Sequence, residues 1–495
     1  MSRTLQPWLI AFALMASLPA GADDSHDEPA PATGRPVAGA PAAEQPVEEP
    51  ESEEAIEQRK LIEEFRKDQV VEQGNVAAIR KSEEAIEQRK LIEGFRKEQA
   101  VEQGNLAAIR KTAAFREVRV IEPPADAGQI LAFHPLAHGG IVIATGAGER
   151  YGETSLIGAV ASLLRLAGNA GKLPPTNQLT WLDASGEASR SAPLPFSCKG
   201  VTVAPDGAVI AVGEDRVVVF SADGEQVAEA AAPHFQMTAD ELAQLREEMV
   251  EQHREQLEAT RQTGERLLEA QAALEQVPEE ERTPRQQREL VQVTMMVRSF
   301  EAQTPSDAAT ETAIDKGLAK ARAIHRVAAS ADHLFLVANE PTGYGYGVWR
   351  CGRDFSTPEK IVDGLRGCCG QMDVQVVGDA LVIAENGRHH VAVYALDGEP
   401  LRTFGEACRT DIRKGFGGCC NPMNACPGPD GSLLLSESNG LVKQFAADGT
   451  LVEILGSANV QSGCKNSSIG LSTDGATLYY LDINRGRVLV LEKKS

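Results

Sequence analysis

The chain has 495 residues, nine of them cysteine, with 42% hydrophobic and 24% charged side chains and a formal net charge of -22. That length exceeds what one small core can use and predicts two or more structural units. The charge argues against nucleic acid and acidic lipid as partners, because both need a basic footprint.

Residues 1–22 set Arg3 before an apolar stretch from Trp8 to Leu18 and end on Ala20-Gly21-Ala22, the layout of a secretory signal peptide. The stretch is short of the roughly 20 residues that span a bilayer. The reading is therefore an exported chain, periplasmic or extracellular, with no transmembrane span once mature. Thiols oxidise in that compartment, so the cysteines are expected to be mostly bridged, and an odd count leaves at least one over. Residues 23–51 are rich in Pro, Ala, Glu and Asp and predict a disordered acidic linker. Residues 52–111 are two nearly identical 30-residue units, differing only at Glu64/Gly94, Asp68/Glu98, Val70/Ala100 and Val76/Leu106. Serine followed by two glutamates suits a helix start. Their apolar stripe is thin, which fits a coiled-coil stalk, a partner-binding helix or a solvated spacer.

Residues 112–495 read as short apolar strands separated by turns. "CKGVTVAPDGAVIAVGEDRVVVFSADGEQV" from Cys198, "CGQMDVQVVGDALVIAENGRHHVAVYALDGEPLRTFG" from Cys369, "CNPMNACPGPDGSLLLSESNGLVKQFAADGTLVEILG" from Cys420 and "CKNSSIGLSTDGATLYYLDINRGRVLVLEKK" from Cys464 share one plan. Each gives an apolar strand, a tight turn, a second strand, a polar loop and a third strand. Such units, with two looser copies, predict a mainly β, six-bladed β-propeller. The last copy is a strand short, and "FREVRVIE" from Phe115 can supply it and close the ring. Two inserts interrupt the pattern. One spans residues 146–175. The other, 238–322, is strongly helical: Thr238 with Glu241 forms a capping box and Thr283, Pro284 and Gln286 mark a second start, predicting a helical hairpin.

The segment from Asn421 to Gly456, with "LDINRGRVLVL" and "AENGRHHVAVY", resembles the NHL repeat. The resemblance implies a six-bladed propeller. It does not imply one activity, because the family includes protein-binding and RNA-binding platforms and a metal-dependent peptide-amidating lyase. The adjacent cysteines Cys368-Cys369 and Cys419-Cys420 depart from the common repeat.

Propeller topology puts the turns between first and second strands on one face and the starts of first strands on the other. Cys198, Cys368, Cys369, Cys419, Cys420, Cys426 and Cys464 are thereby placed around one channel mouth. The ends of second strands add Glu214, Glu385, Glu437 and Asp482, and the following loop adds Arg388, His389 and His390. This cysteine-lined face is the candidate site for a protein or small-ligand partner, which makes the chain a binding or scaffold module. Each part also has a structural alternative. The cysteines can staple neighbouring blades, with Cys351 and Cys408 as a separate bridge. The carboxylates can cap loops or pair with Arg388 and Arg487, while Met372 and Met423 fill the core. Reduced thiolates would instead suit copper or zinc. A lyase-like enzyme on the same face is a further alternative, although no Cys-x-x-Cys, His-Glu-x-x-His or Gly-x-Ser-x-Gly motif is present.

Overall fold

The computed structural model describes residues 104–124, 127–147, 176–301, 307–368, 372–408, 411–418, 420–460 and 467–494. The chain divides into units Met1–Ile92 and Glu93–Ser495, and every described residue belongs to the second. The leader, the acidic linker, the first repeat and most of the second, the insert from 148 to 175, and Cys369, Cys419 and Cys464 lie outside the described residues.

Second strands such as Val209–Gly213 and Ala380–Glu385 are apolar runs buried along nearly their whole length. Only a strand covered on both faces can afford such a sequence. Fourth strands such as Ala188–Pro193 and Gln226–Ala231 are small and polar, and mostly exposed. The difference follows from position. The described residues form six four-stranded antiparallel sheets, each with its first strand at one edge and its fourth at the other. In chain order they run from Gln129–Pro135 to Ala188–Pro193, Gly200–Val203 to Gln226–Ala231, Ile324–Ala329 to Glu359–Leu365, Asp373–Val377 to Pro400–Phe404, and Asn424–Pro427 to Leu451–Ser457. The sixth takes Ile469–Leu471, Thr477–Asp482 and Arg487–Lys493 from the C-terminus and its outer strand, Phe115–Ile121, from far upstream. That strand pairs antiparallel with Arg487–Lys493, from Phe115 opposite Lys493 to Ile121 opposite Val488.

No sheet has a core of its own. Six buried clusters each draw on two consecutive sheets, for example Val209, Ala211 and Phe220 of the second with Val142, Leu179 and Trp181 of the first. Ile130, Ile141 and Ile143 of the first sheet pack on Tyr479, Leu481 and Val488 of the sixth, so the series returns to its start. Neighbouring first strands touch in the same cyclic order. This ring of sheets is a β-propeller arrangement. Gly470 shows how tightly the sixth sheet meets the first, since a Cβ there would lie 2.5 Å from Pro135 Cγ.

Two helical parts attach to the ring. Helix α1, residues 104–112, buries Leu106, one of the four positions at which the two repeats differ. Arg110 Nη2 donates to Ala458 O at 3.3 Å and Lys494 Nζ to Lys111 O at 2.8 Å, so the end of the second repeat is tied to the fifth and sixth sheets. Between the second and third sheets lie α2 (Ala239–Glu275), α3 (Pro284–Glu301) and α4 (Asp307–Arg322). Thr238 and Glu241 cap α2 reciprocally, and Thr283 and Gln286 do the same for α3. The expected two-helix hairpin thus has a third member. α4 carries Ile314 and Leu318 onto Leu245 of α2, with Leu242 and Met249 packed around them, and also contacts the third sheet. No helix among the described residues is long and apolar enough to cross a membrane.

Two predictions follow from this packing. Phe115 is buried and Val118, on the same closing strand, is 40% exposed. Phe115→Ala should cost about 3–5 kcal/mol, and Val118→Ala less than about 0.5 kcal/mol, measured by denaturant unfolding of the full chain. The second concerns His234, whose Nε2 lies 3.0 Å from Ala321 O at the end of α4 and whose ring meets Trp349 edge-on. Burial pulls its pKa down to about 4, below the unfolded value of about 6.5. The neutral ring's contribution to stability is therefore complete above pH 6.5 and is lost as pH falls towards 4. His325, pulled down to about 3 by burial, acts in the same direction. The unfolding midpoint should drop on acidification through this window, and less steeply in His234→Phe.

Candidate functional site

Each first strand is an edge strand, hydrogen-bonded to its sheet on one side only, so its other backbone edge is left to the middle of the ring. There the six first strands line a cavity of about 980 Å³. It reaches from the starts of the strands to the turns at their ends, including Pro205, Asp332, Asp379 and Thr473.

Its floor is a buried polar layer that local sequence patterns do not announce. Arg326, 5% exposed on the first strand of the third sheet, lies with Nε 3.4 Å from Asp373 Oδ1 of the fourth. Its Nη2 donates to Ser467 O at 3.0 Å, before the sixth sheet, and its Nη1 donates to Lys199 O, before the second. Asp373 Oδ2 accepts from Ala425 N of the fifth sheet at 2.9 Å. Ser467 Oγ donates to Asn424 Oδ1 at 2.7 Å. One guanidinium and its partners thus connect five of the six sheets. Gly200 makes room for this approach, since a Cβ there would sit 3.3 Å from Arg326 Cα. Burial raises the Asp373 carboxyl above its ordinary range, against the opposing pull of Arg326 and the Ala425 N–H. Of these residues only Asp373 and Asn424 stand at a shared repeat position, each four residues after its cysteine, Cys369 and Cys420, and nothing in the local sequence marks Arg326 or Ser467 as their partners.

Of the site residues read from the sequence, the described cysteines Cys198, Cys368 and Cys420 and the carboxylates Glu214, Glu385, Glu437 and Asp482 lie at the floor end, where first strands begin and second strands finish. Glu214 Oε1 accepts from Ser197 N at 3.1 Å, Glu385 Oε1 from Arg366 N at 2.8 Å and Glu437 Oε2 from Gly417 N at 3.2 Å. Each acid in this way ties down the loop that enters its own sheet. Glu385 also pairs with Arg388, and its Oε2 lies 2.5 Å from His390 Nε2. Burial raises its pKa, but the hydrogen bonds and charges around it hold the carboxyl below its ordinary range. Glu437 pairs with Lys443, both only 1% exposed. Asp482 faces Arg485 at 3.1 Å and Arg487 at 3.7 Å. His389 adopts φ +59° and leaves Nδ1 without a partner.

The cysteines divide. Cys198 is buried, donates to Gly200 O at 3.4 Å and is pushed up to about 12 by burial. Cys426 belongs inside the first strand of the fifth sheet, not before it, packs with Leu434 and Leu471, and is also raised by burial. Cys351 sits in the core between the second and third sheets, has no disulfide and is raised to about 11. The bridge from Cys351 to Cys408 considered from sequence is therefore absent. Cys368 and Cys420 come together, with Sγ atoms 3.0 Å apart. Met372 and Met423 are buried, Met372 in the apolar cluster between the third and fourth sheets. Among the described residues, no three His, Cys, Asp or Glu side chains converge as a metal site.

No family model and no curated protein matches the chain. Among solved structures it is similar to a streptogramin B lyase at 10% identity, covering 77% of this chain and 98% of that one with a TM-score of 0.36. It is similar to regucalcin, a calcium-binding protein from Agrobacterium tumefaciens, at 9% identity over 76% of this chain and 94% of that one, with a TM-score of 0.38. A protein of unknown function from Bacteroides caccae shares 10% identity over 62% of this chain and 79% of that one, with a TM-score of 0.32.

The floor has a measurable consequence for stability. Arg326→Met strands a buried carboxylate and should cost about 3–5 kcal/mol, whereas adding Asp373→Leu removes the stranded charge and should recover most of the loss. Denaturant unfolding of the two variants checks this. Equal destabilisation by the single and the double substitution would contradict it.

Proposed function

We propose that the six sheets are the blades of an NHL-like propeller and that the chain is a binding module, exported as its first 22 residues suggest, whose ligand enters the channel from the turn end. The cavity of about 980 Å³ between the first strands carries this reading. Its size suits a small molecule or an inserted peptide side chain, and the free strand edges offer backbone donors and acceptors along its walls.

The rim favours a cationic ligand. Exposed Asp206, Asp332, Asp379, Asp430 and Asp474 occupy the turns between first and second strands in five of the six sheets. The Ser472 hydroxyl and the Ala476 N–H, both donating to Asp474, hold its pKa below the ordinary range; at Asp206 slight burial works upward, but the Ala208 N–H and Arg353 outweigh it and hold the carboxyl low. Two basic groups nearby are already engaged: Arg350 Nη2 with Glu359 at 2.7 Å and Arg353 with Asp206 at 3.2 Å. Arg353 compensates Asp206, and the carboxylates of the other four turns supply the negative charge around the opening, which concentrates cations. At the floor end the carboxylates are committed to loop N–H groups and to neighbouring basic side chains, so that end is the weaker candidate for ligand capture.

Binding of a short lysine-bearing peptide to the full chain, followed by calorimetry, tests the reading against a glutamate-bearing peptide of equal length. The lysine peptide should bind, more weakly as salt rises, and Val376→Trp in the channel wall should weaken it at least tenfold. Binding that Val376→Trp leaves unchanged, or no preference between the peptides, would overturn it.

A further inference from the structure

We infer that Cys368 and Cys420 form a modification site: exchange with a disulfide donor joins them in a covalent clip between the loops that open the fourth and fifth sheets. The inference goes beyond the binding role and stands independently of it.

The geometry is already close to that of the product. The Sγ atoms are 3.0 Å apart, against about 2.05 Å in a disulfide, so small side-chain rotations suffice. Both loops are pinned where they meet. Cys368 N donates to Asn386 Oδ1 at 2.7 Å, and Tyr344 Oη donates to Gly367 O at 2.8 Å. On the other side Ser438 N donates to Asn421 Oδ1 at 2.7 Å, and Asn421 Nδ2 donates to Gly417 O at 2.5 Å. The two thiols therefore meet because the folded ring presents them, although they are 52 residues apart in sequence.

The pair also differs in access. Cys368 is half-buried and Cys420 buried, which orders the chemistry. The Cys368 thiolate attacks one sulfur of the donor disulfide, forming a mixed disulfide and releasing the first donor thiol. The Cys420 thiolate then attacks the Cys368 sulfur, the second donor thiol leaves, and the intrachain bond is complete. Two protons and two electrons pass from the protein thiols to the donor, which is reduced to two thiols. Cys198 and Cys426, also near first-strand starts, are sealed in apolar clusters and have no thiol at comparable distance among the described residues. The bond would close a long loop and restrict the unfolded chain accordingly.

The test treats the full-length protein with oxidised glutathione, alkylates it and maps it without reduction. Cys369 and Cys419 adjoin the pair, so the double variant Cys369→Ser, Cys419→Ser removes ambiguity, and tandem fragmentation of the linked peptide from the unsubstituted chain locates the same bond if that variant folds poorly. The expected result is a Cys368–Cys420 linked peptide and an unfolding midpoint about 5 °C above that of the reduced protein. Both should vanish in Cys368→Ser and in Cys420→Ser. Separate alkylation of the two thiols after donor treatment, or their linkage to other cysteines instead, would overturn the inference.

Discussion

The structure depends on one pairing made between the two ends of the described chain. Phe115–Ile121 lies against Arg487–Lys493 and completes the sixth sheet, and only then does every sheet have a neighbour on both faces. Since each of the six clusters between sheets belongs to two of them, an open ring would leave the flanks of two sheets wet. Second strands such as Leu433–Ser436 and Thr477–Asp482, buried over nearly all of their residues, are sequences that only a closed ring can use.

Closure creates a further problem, because six edge strands then face a common axis with backbone groups unpaired on one side. The two ends of that axis answer it differently. At the starts of the strands, Arg326 gathers a carboxylate and two carbonyls from other sheets and fills the middle with satisfied polar groups. Towards the turns the axis stays open as the cavity. The helices α2 to α4 enter and leave at the filled end: Ile324 N, just after α4, donates to Glu214 O at 2.7 Å. The carboxylates at that end secure loops, and Cys368 and Cys420 approach each other across two of those loops. One end is occupied with holding the ring together. The other is the open end, where we propose that a ligand binds.

Much of this was legible in the sequence where the determinants are local. Asp-Gly turns between apolar runs mark the strands, the shortfall in the last repeat points to "FREVRVIE", and Thr238 with Glu241 marks the start of α2. The topology of such units also placed Glu385, Glu437 and Asp482 at one end. What local reading missed has long-range causes. Arg326 looks like an isolated charge in "AIHRVAAS", and its partners Lys199 and Ser467 lie 127 and 141 residues away. Among the residues of α4 whose burial is described, Ile314, Leu318 and Ala321 are the buried apolar anchors, too few to stand out as an amphipathic pattern. Cys426 shifted from loop to strand because its segment starts pairing at Asn424, opposite Ser436.

The central claim is that ligand capture belongs to the turn end of the channel. Hydrogen exchange of the full chain, alone and with the lysine-bearing peptide, tests it most directly because it reports each end separately. The account predicts slowed exchange at residues 330–333 and 378–380, with the loops around Cys368 and Cys420 unchanged. Protection confined to those cysteine-bearing loops, or none at either end, would contradict it.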